Sequence, residues 1–109
     1  MEKELNKLEF SGQKYYNDTN IFDKYYKIID RLYKIYVDKN HDYGNSFDET
    51  CDEFGLIAPV IRMNDKIKRC KSVLKNNDFK VNESLEDTIS DLTNYCVMTL
   101  MWIEKNSKK

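Results

Sequence analysis

The sequence predicts an all-α protein: a bundle of four helices, one of them short, that associates into a homo-oligomer. Three observations carry this. Only three glycines and one proline occur in 109 residues, so few positions break a helix. Apolar residues recur at three- and four-residue spacing through three long stretches. The stretch nearest the C-terminus is apolar on more sides than one small bundle covers, which requires a neighbouring chain.

The chain is long enough for one domain with a single core. Eighteen basic residues against nineteen acidic ones leave a net charge of -1. That balance argues against nucleic-acid binding by charge and against an anionic membrane surface. Cys51, Cys70 and Cys96 are odd in number and widely spaced, so they read as reduced core thiols. One histidine and no clustered thiols disfavour zinc. The N-terminus has no apolar signal region, and the longest apolar run, Tyr95 to Ile103, is too short to span a bilayer. These features predict a cytoplasmic protein. The composition shows no internal repeat.

Residues 1–20 mix charges with Ser11, Gly12 and an Asn-Asp-Thr-Asn run, and read as a weakly ordered arm before a helical domain over 21–109. The first helix is expected after a Thr19 or Asn20 cap and as far as about Asp38. Phe22, Tyr25, Ile29, Leu32 and Tyr36 form its apolar stripe, and Asp23–Lys27 and Asp30–Lys34 are i,i+4 pairs on its outer face.

Lys39 to Ser46 reads as a loop, with Gly44 suited to a positive φ. Its His41-Asp42-Tyr43 triplet is not required by any turn and offers polar groups for a ligand. A short helix follows from Ser46, with Glu49 in the capping-box position and Gly55 as the stop. Phe47, Cys51 and Phe54 are its expected buried face. Asp48, Glu49, Asp52 and Glu53 are an exposed acidic face or part of a cation site.

The third helix starts near Pro59 and runs to about Lys75. Leu56, Val60, Met63, Ile67, Cys70 and Leu74 form a seam at alternating four- and three-residue spacing. Arg62, Asp65, Lys66 and Arg69 lie opposite. This basic face either pairs with acids on the last helix or holds phosphate oxygens.

A polar link, 76–82, implies that the third and fourth helices are antiparallel. In the fourth, Leu85, Ile89, Leu92, Cys96, Thr99, Leu100 and Ile103 fall on one stripe, and Glu83, Asp87, Asp91 and Asn94 on the far side. Asn82 or Ser84 is the expected cap, and Glu83 and Glu86 suit the helix dipole as well as a ligand. Asp87 and Asp91 lie too deep for that role and read as site residues. Carboxylates of this row opposite basic residues are a pattern suited to magnesium-assisted phosphoryl chemistry.

Three segments together resemble a known family: Asn40-His41-Asp42-Tyr43-Gly44; Gly55-Leu56-Ile57 leading to the run from Val60 to Arg69; and the run from Val81 to Tyr95. They are similar to the nucleotide modification associated domain 1 family, common in bacteriophage genomes. The resemblance covers about residues 22–105. It implies a role in phage nucleotide or DNA-base modification, and the helical pattern is similar to the all-α, MazG-like nucleoside triphosphate pyrophosphohydrolases. Those enzymes hold Mg²⁺ with Glu-x-x-Glu and Glu-x-x-Asp; here Glu83-x-x-Glu86 and Glu49-x-x-Asp52 match the letters in reversed order and unusual spacing.

By resemblance, Glu83, Asp87 and Asp91 hold Mg²⁺, with Asp87 and Asp91 catalytic. Arg62, Lys66 and Arg69 grip phosphates. Asp42, Tyr43, Asp65 and Asn94 complete the substrate site. The implied function is nucleotide handling, by hydrolysis of a triphosphate to monophosphate and pyrophosphate. The alternatives are a non-catalytic binder that sequesters a nucleotide, and a protein-interaction helper in base modification or anti-defence.

Overall fold

The computed structural model describes residues 19–43, 45–76 and 81–107. Four helices occupy them, with no strand among the described residues: α1 (Thr19–Tyr43), α2 (Ser46–Phe54), α3 (Ile57–Asn76) and α4 (Val81–Ser107). The all-α expectation is met. Residues 1–18 of the expected arm and Gly44 lie outside the described residues, as do the side chains of Asp42, Tyr43 and Glu83, while Thr19 and Asn20 belong to α1. No helix among the described residues is long and apolar enough to cross a membrane.

The chain divides into two compact units, one ending at Lys34 and one beginning at Ile35. Within the first, α1 carries the expected pairs: Lys27 Nζ is 3.1 Å from Asp23 and Lys34 Nζ is 2.9 Å from Asp30. Leu32 is buried, whereas Ile21, Phe22, Tyr25, Ile28 and Ile29 are exposed.

The second unit is built on the pairing of α3 with α4, with α2 packed against both. Lys66 meets Asp91 and Arg62 meets Tyr95. Rising numbers on one helix thus meet falling numbers on the other, so the two are antiparallel as the short link implies.

Four boundaries differ from the sequence reading. Helix α1 does not stop near Asp38 but continues to Tyr43. Asn40, His41 and Asp42 are turn formers by local preference, and a helical Lys39 gains a carboxylate partner on α4 that a loop would forgo. In α2 the cap is Asn45 rather than Ser46, and it makes no side-chain capping bond; its carbonyl accepts the Glu49 N–H at 3.0 Å. Pro59 lies buried two residues inside α3, where a missing N–H costs no helical bond. Helix α4 begins at Val81, so Ser84 lies inside the first turn, where its carbonyl accepts the Thr88 hydroxyl.

Gly55 ends α2 as expected. Its φ of 80° and ψ of -169° belong to a region that side-chain-bearing residues avoid, and its N–H bonds the Cys51 carbonyl at 2.8 Å.

The buried side of α4 is turned from the predicted stripe by roughly 60°. Of that stripe Thr99 is buried as expected, with Thr88 beside it, whereas Ile89, Leu100 and Ile103 are exposed, and Ser90 is buried on another side of the helix. Both threonine hydroxyls donate one turn back, Thr88 to Ser84 at 2.9 Å and Thr99 to Tyr95 at 2.7 Å. Satisfied in this way, a threonine is buried at little cost and is compact enough for close helix approach. Helix α3 behaves alike: Pro59 is buried and Met63, Lys66 and Cys70 half-buried, but Val60, Ile67 and Leu74 of the seam remain exposed.

Candidate functional site

A cavity of about 880 Å³ lies within the second unit, walled by the last two turns of α1, by α2, and by one flank each of α3 and α4. Its size is that of a nucleotide-scale site. Helix periodicity explains the walls. Tyr36, Lys39 and Asn40 share one face of α1, Arg62 and Lys66 are one turn apart on α3, and Asp91, Asn94, Tyr95 and Met98 share one face of α4.

The polar heart of the cavity is Asp91 between two ammonium groups. Lys39 Nζ is 2.7 Å from Oδ1 and Lys66 Nζ is 3.4 Å from Oδ2. Burial alone would push the Asp91 carboxyl up, but the hydrogen bond from Lys39 and the charges of Lys39 and Lys66 outweigh it and hold the group below the usual carboxylate range. Asp91 is therefore an anion at neutral pH.

Beside it, Arg62 Nη2 donates to the Tyr95 hydroxyl at 3.3 Å, and the guanidinium carbon lies 5.8 Å from the Tyr95 ring centre. That hydrogen bond, with Tyr95 and Asp65 nearby, raises the Arg62 pKa further. Phe47 stands 6.2 Å from Tyr95, ring centre to ring centre, tilted by 39°. The walls thus carry three cations against one anion, with an aromatic pair beside them. Such a surface attracts an anionic ligand with a planar part.

Cys51, fully buried in the wall, has its thiol pushed up by burial and by Asp48 and Asp52. These surroundings favour the protonated thiol, the weakly nucleophilic form. All three cysteines are free thiols.

Of the residues expected from sequence, Arg62, Lys66, Asp91 and Asn94 come together in this cavity. Asp65, Arg69 and Asp87 are exposed and do not line it. The side chains of Asp42, Tyr43 and Glu83 lie outside the described residues. The site also recruits Tyr36, Lys39, Asn40, Phe47, Thr50 and Tyr95. Extending the first helix to Tyr43 would have found the α1 group, since Tyr36, Lys39 and Asn40 then share a face.

The carboxylates do not gather as a metal site would require. No three His, Cys, Asp or Glu side chains among the described residues are grouped to hold a metal ion. Both Asp91 oxygens carry an ammonium partner. The acids of α2 serve the fold: Asp52 accepts the Trp102 indole N–H at 2.9 Å and Asp48 lies 3.6 Å from Lys105, tying α2 to the end of α4. Among the described residues, the geometry fits an anion-binding cavity and does not assemble a magnesium cage.

No curated protein and no solved structure matches the chain. A family model described as nucleotide modification associated domain 1 matches residues 39–103, which run from Lys39 to Ile103 and include all the cations of the cavity. On that match over more than half its length, the chain belongs to the nucleotide modification associated domain 1 family.

Proposed function

We propose that this chain binds a nucleotide in the α1–α4 cavity, its phosphates held by Lys39, Arg62 and Lys66 and its base placed against Phe47 and Tyr95. The observation that carries the reading is the pairing of two lysines with one half-buried carboxylate, with Arg62 beside them on Tyr95, in a cavity of nucleotide size. Asp91 keeps two of those cations in place when no ligand is present. An entering phosphate, with more oxygens and more charge than one carboxylate, competes for them. Asn94, Asn40 and Thr50 supply neutral donors and acceptors around the edge. The family description is in keeping with a nucleotide ligand.

A second reading is hydrolysis of a nucleoside triphosphate to monophosphate and pyrophosphate. It is favoured by one observation: Asp91 is held ionised inside the cavity, where a carboxylate is the residue type such chemistry uses. That reading would need Mg²⁺, which would neutralise triphosphate charge when bound; of the carboxylates expected to hold it, Asp91 lines the cavity and Asp87 does not. Binding is preferred because the described carboxylates do not converge.

Equilibrium dialysis against nucleoside mono-, di- and triphosphates, with and without Mg²⁺, followed by product analysis, tests both. Retention of unchanged nucleotide supports the binder. Release of pyrophosphate only with Mg²⁺ establishes the hydrolase, and no retention of any nucleotide removes both.

A further inference from the structure

On both α3 and α4 the apolar residues keep the alternating four- and three-residue spacing of a coiled-coil seam, yet among the described residues of the second unit part of each seam stays exposed. Val60, Ile67 and Leu74 on α3 remain 49%, 41% and 59% exposed, and Ile89, Leu100 and Ile103 on α4 remain 47%, 64% and 39% exposed. The offset has the same rotational sense on the two helices. Because they are antiparallel, the two open flanks point to the same side of the pair and form one apolar face. The cavity residues Arg62, Asp91 and Asn94 lie on the opposite flank.

The borders of this face differ in charge. On α3 the border is Lys68, Lys71 and Lys75, and on α4 it is Glu86 and Glu104. The pairs Lys66–Asp91 and Arg62–Tyr95 fix the register, which sets Lys71 level with Glu86.

We propose that this face is covered by a second copy of the chain, whose α3 and α4 complete a four-helix bundle about a two-fold axis parallel to the helices. Two antiparallel helices with seams half covered are half of such a bundle, and the identical pair is the partner whose seam spacing matches theirs by construction. The charged borders choose the axis. With the axis parallel to the helices, each α3 faces the α4 of the other copy, so the lysine border meets the glutamate border. Lys71 of one copy then stands level with Glu86 of the other, twice per dimer. An axis across the helices would instead set lysines against lysines. The arrangement leaves both cavities facing outward, one on each copy.

Sedimentation equilibrium of the full chain tests this. The expected mass is twice 13.1 kDa; a mass of one chain at every concentration overturns the proposal, as does any larger assembly. Ile67→Glu, in the middle of the face, should give monomers, and a dimer unchanged by it would place the interface elsewhere. Should that variant lose helicity, the surface change Glu86→Lys still decides. It should weaken the dimer roughly tenfold, since the lost pair and the new repulsion each occur twice. Adding Lys71→Glu to Glu86→Lys should restore the dimer, and failure of that rescue overturns the proposed axis.

Discussion

The Lys39 ammonium lies 2.7 Å from Asp91 Oδ1 although 52 positions separate the two residues. This contact joins the end of α1 to the middle of α4 and brings a cation to the cavity that neither helix would supply alone. It also couples stability to pH. The Asp91 pKa is depressed in the folded protein, so its contribution is full above the unfolded value and is lost as pH falls through the folded one.

Unfolding by urea at a series of pH values should therefore show stability falling below about pH 4, the ordinary range of a carboxyl group. Asp91→Asn should flatten that part of the profile and cost about 1 kcal/mol at neutral pH, because Lys66 loses its half-buried partner. An unchanged profile in the variant would show that Asp91 is not the group responsible.

Arg62→Ala should weaken phosphate-dependent nucleotide binding by roughly tenfold or more, since a charge-assisted contact contributes about 1.5–3 kcal/mol. Arg69→Ala, outside the cavity lining, should change it by less than about twofold. Both should keep their circular dichroism, because neither residue is buried. Equal losses in the two variants would move the phosphate site toward the outer basic face of α3.

Gly55→Ala should destabilise the protein by about 1–3 kcal/mol by thermal or chemical unfolding. The added Cβ would meet nothing within 4 Å, so the cost is one of backbone conformation at φ 80° and not of crowding. No measurable loss would show that the turn after α2 relaxes to an ordinary conformation.

Asp52→Ala should cost about 1 kcal/mol of stability by freeing the Trp102 indole N–H, while leaving nucleotide affinity unchanged. The exposed Asp48–Lys105 pair adds little to that. A loss of affinity with unchanged stability would return the α2 acids to the ligand site.

Helix content was legible because its signals are local. The seams of α3 and α4, the glycine stop at Gly55 and the i,i+4 pairs of α1 all depend on residues within a turn or two of each other. The end of α1 was not, since Asn40-His41-Asp42 favours a turn locally and the contact that favours helix lies on α4. The buried side of α4 was legible only in part: Thr99 was on the expected stripe, but hydropathy ranks Thr88 below Ile89 and Leu100, whereas Thr88 satisfies its own hydroxyl and is buried while the isoleucine and leucine stay exposed. Of the cavity lining, Arg62, Lys66, Asp91 and Asn94 stood out in the sequence through their spacing on two helices. Lys39, Phe47 and Tyr95 were missed because their roles come from tertiary approach, and each had a sufficient local reading as loop, core or core edge.

The most direct test of the central claim is calorimetric titration of the full chain with a nucleoside triphosphate and with the corresponding unphosphorylated nucleoside, at low and high salt. A cavity that reads phosphate through Lys39, Arg62 and Lys66 should bind the triphosphate, weaken as salt rises, and take the nucleoside far more weakly. Equal affinity for the two, or heat from neither, would contradict phosphate recognition by these three cations.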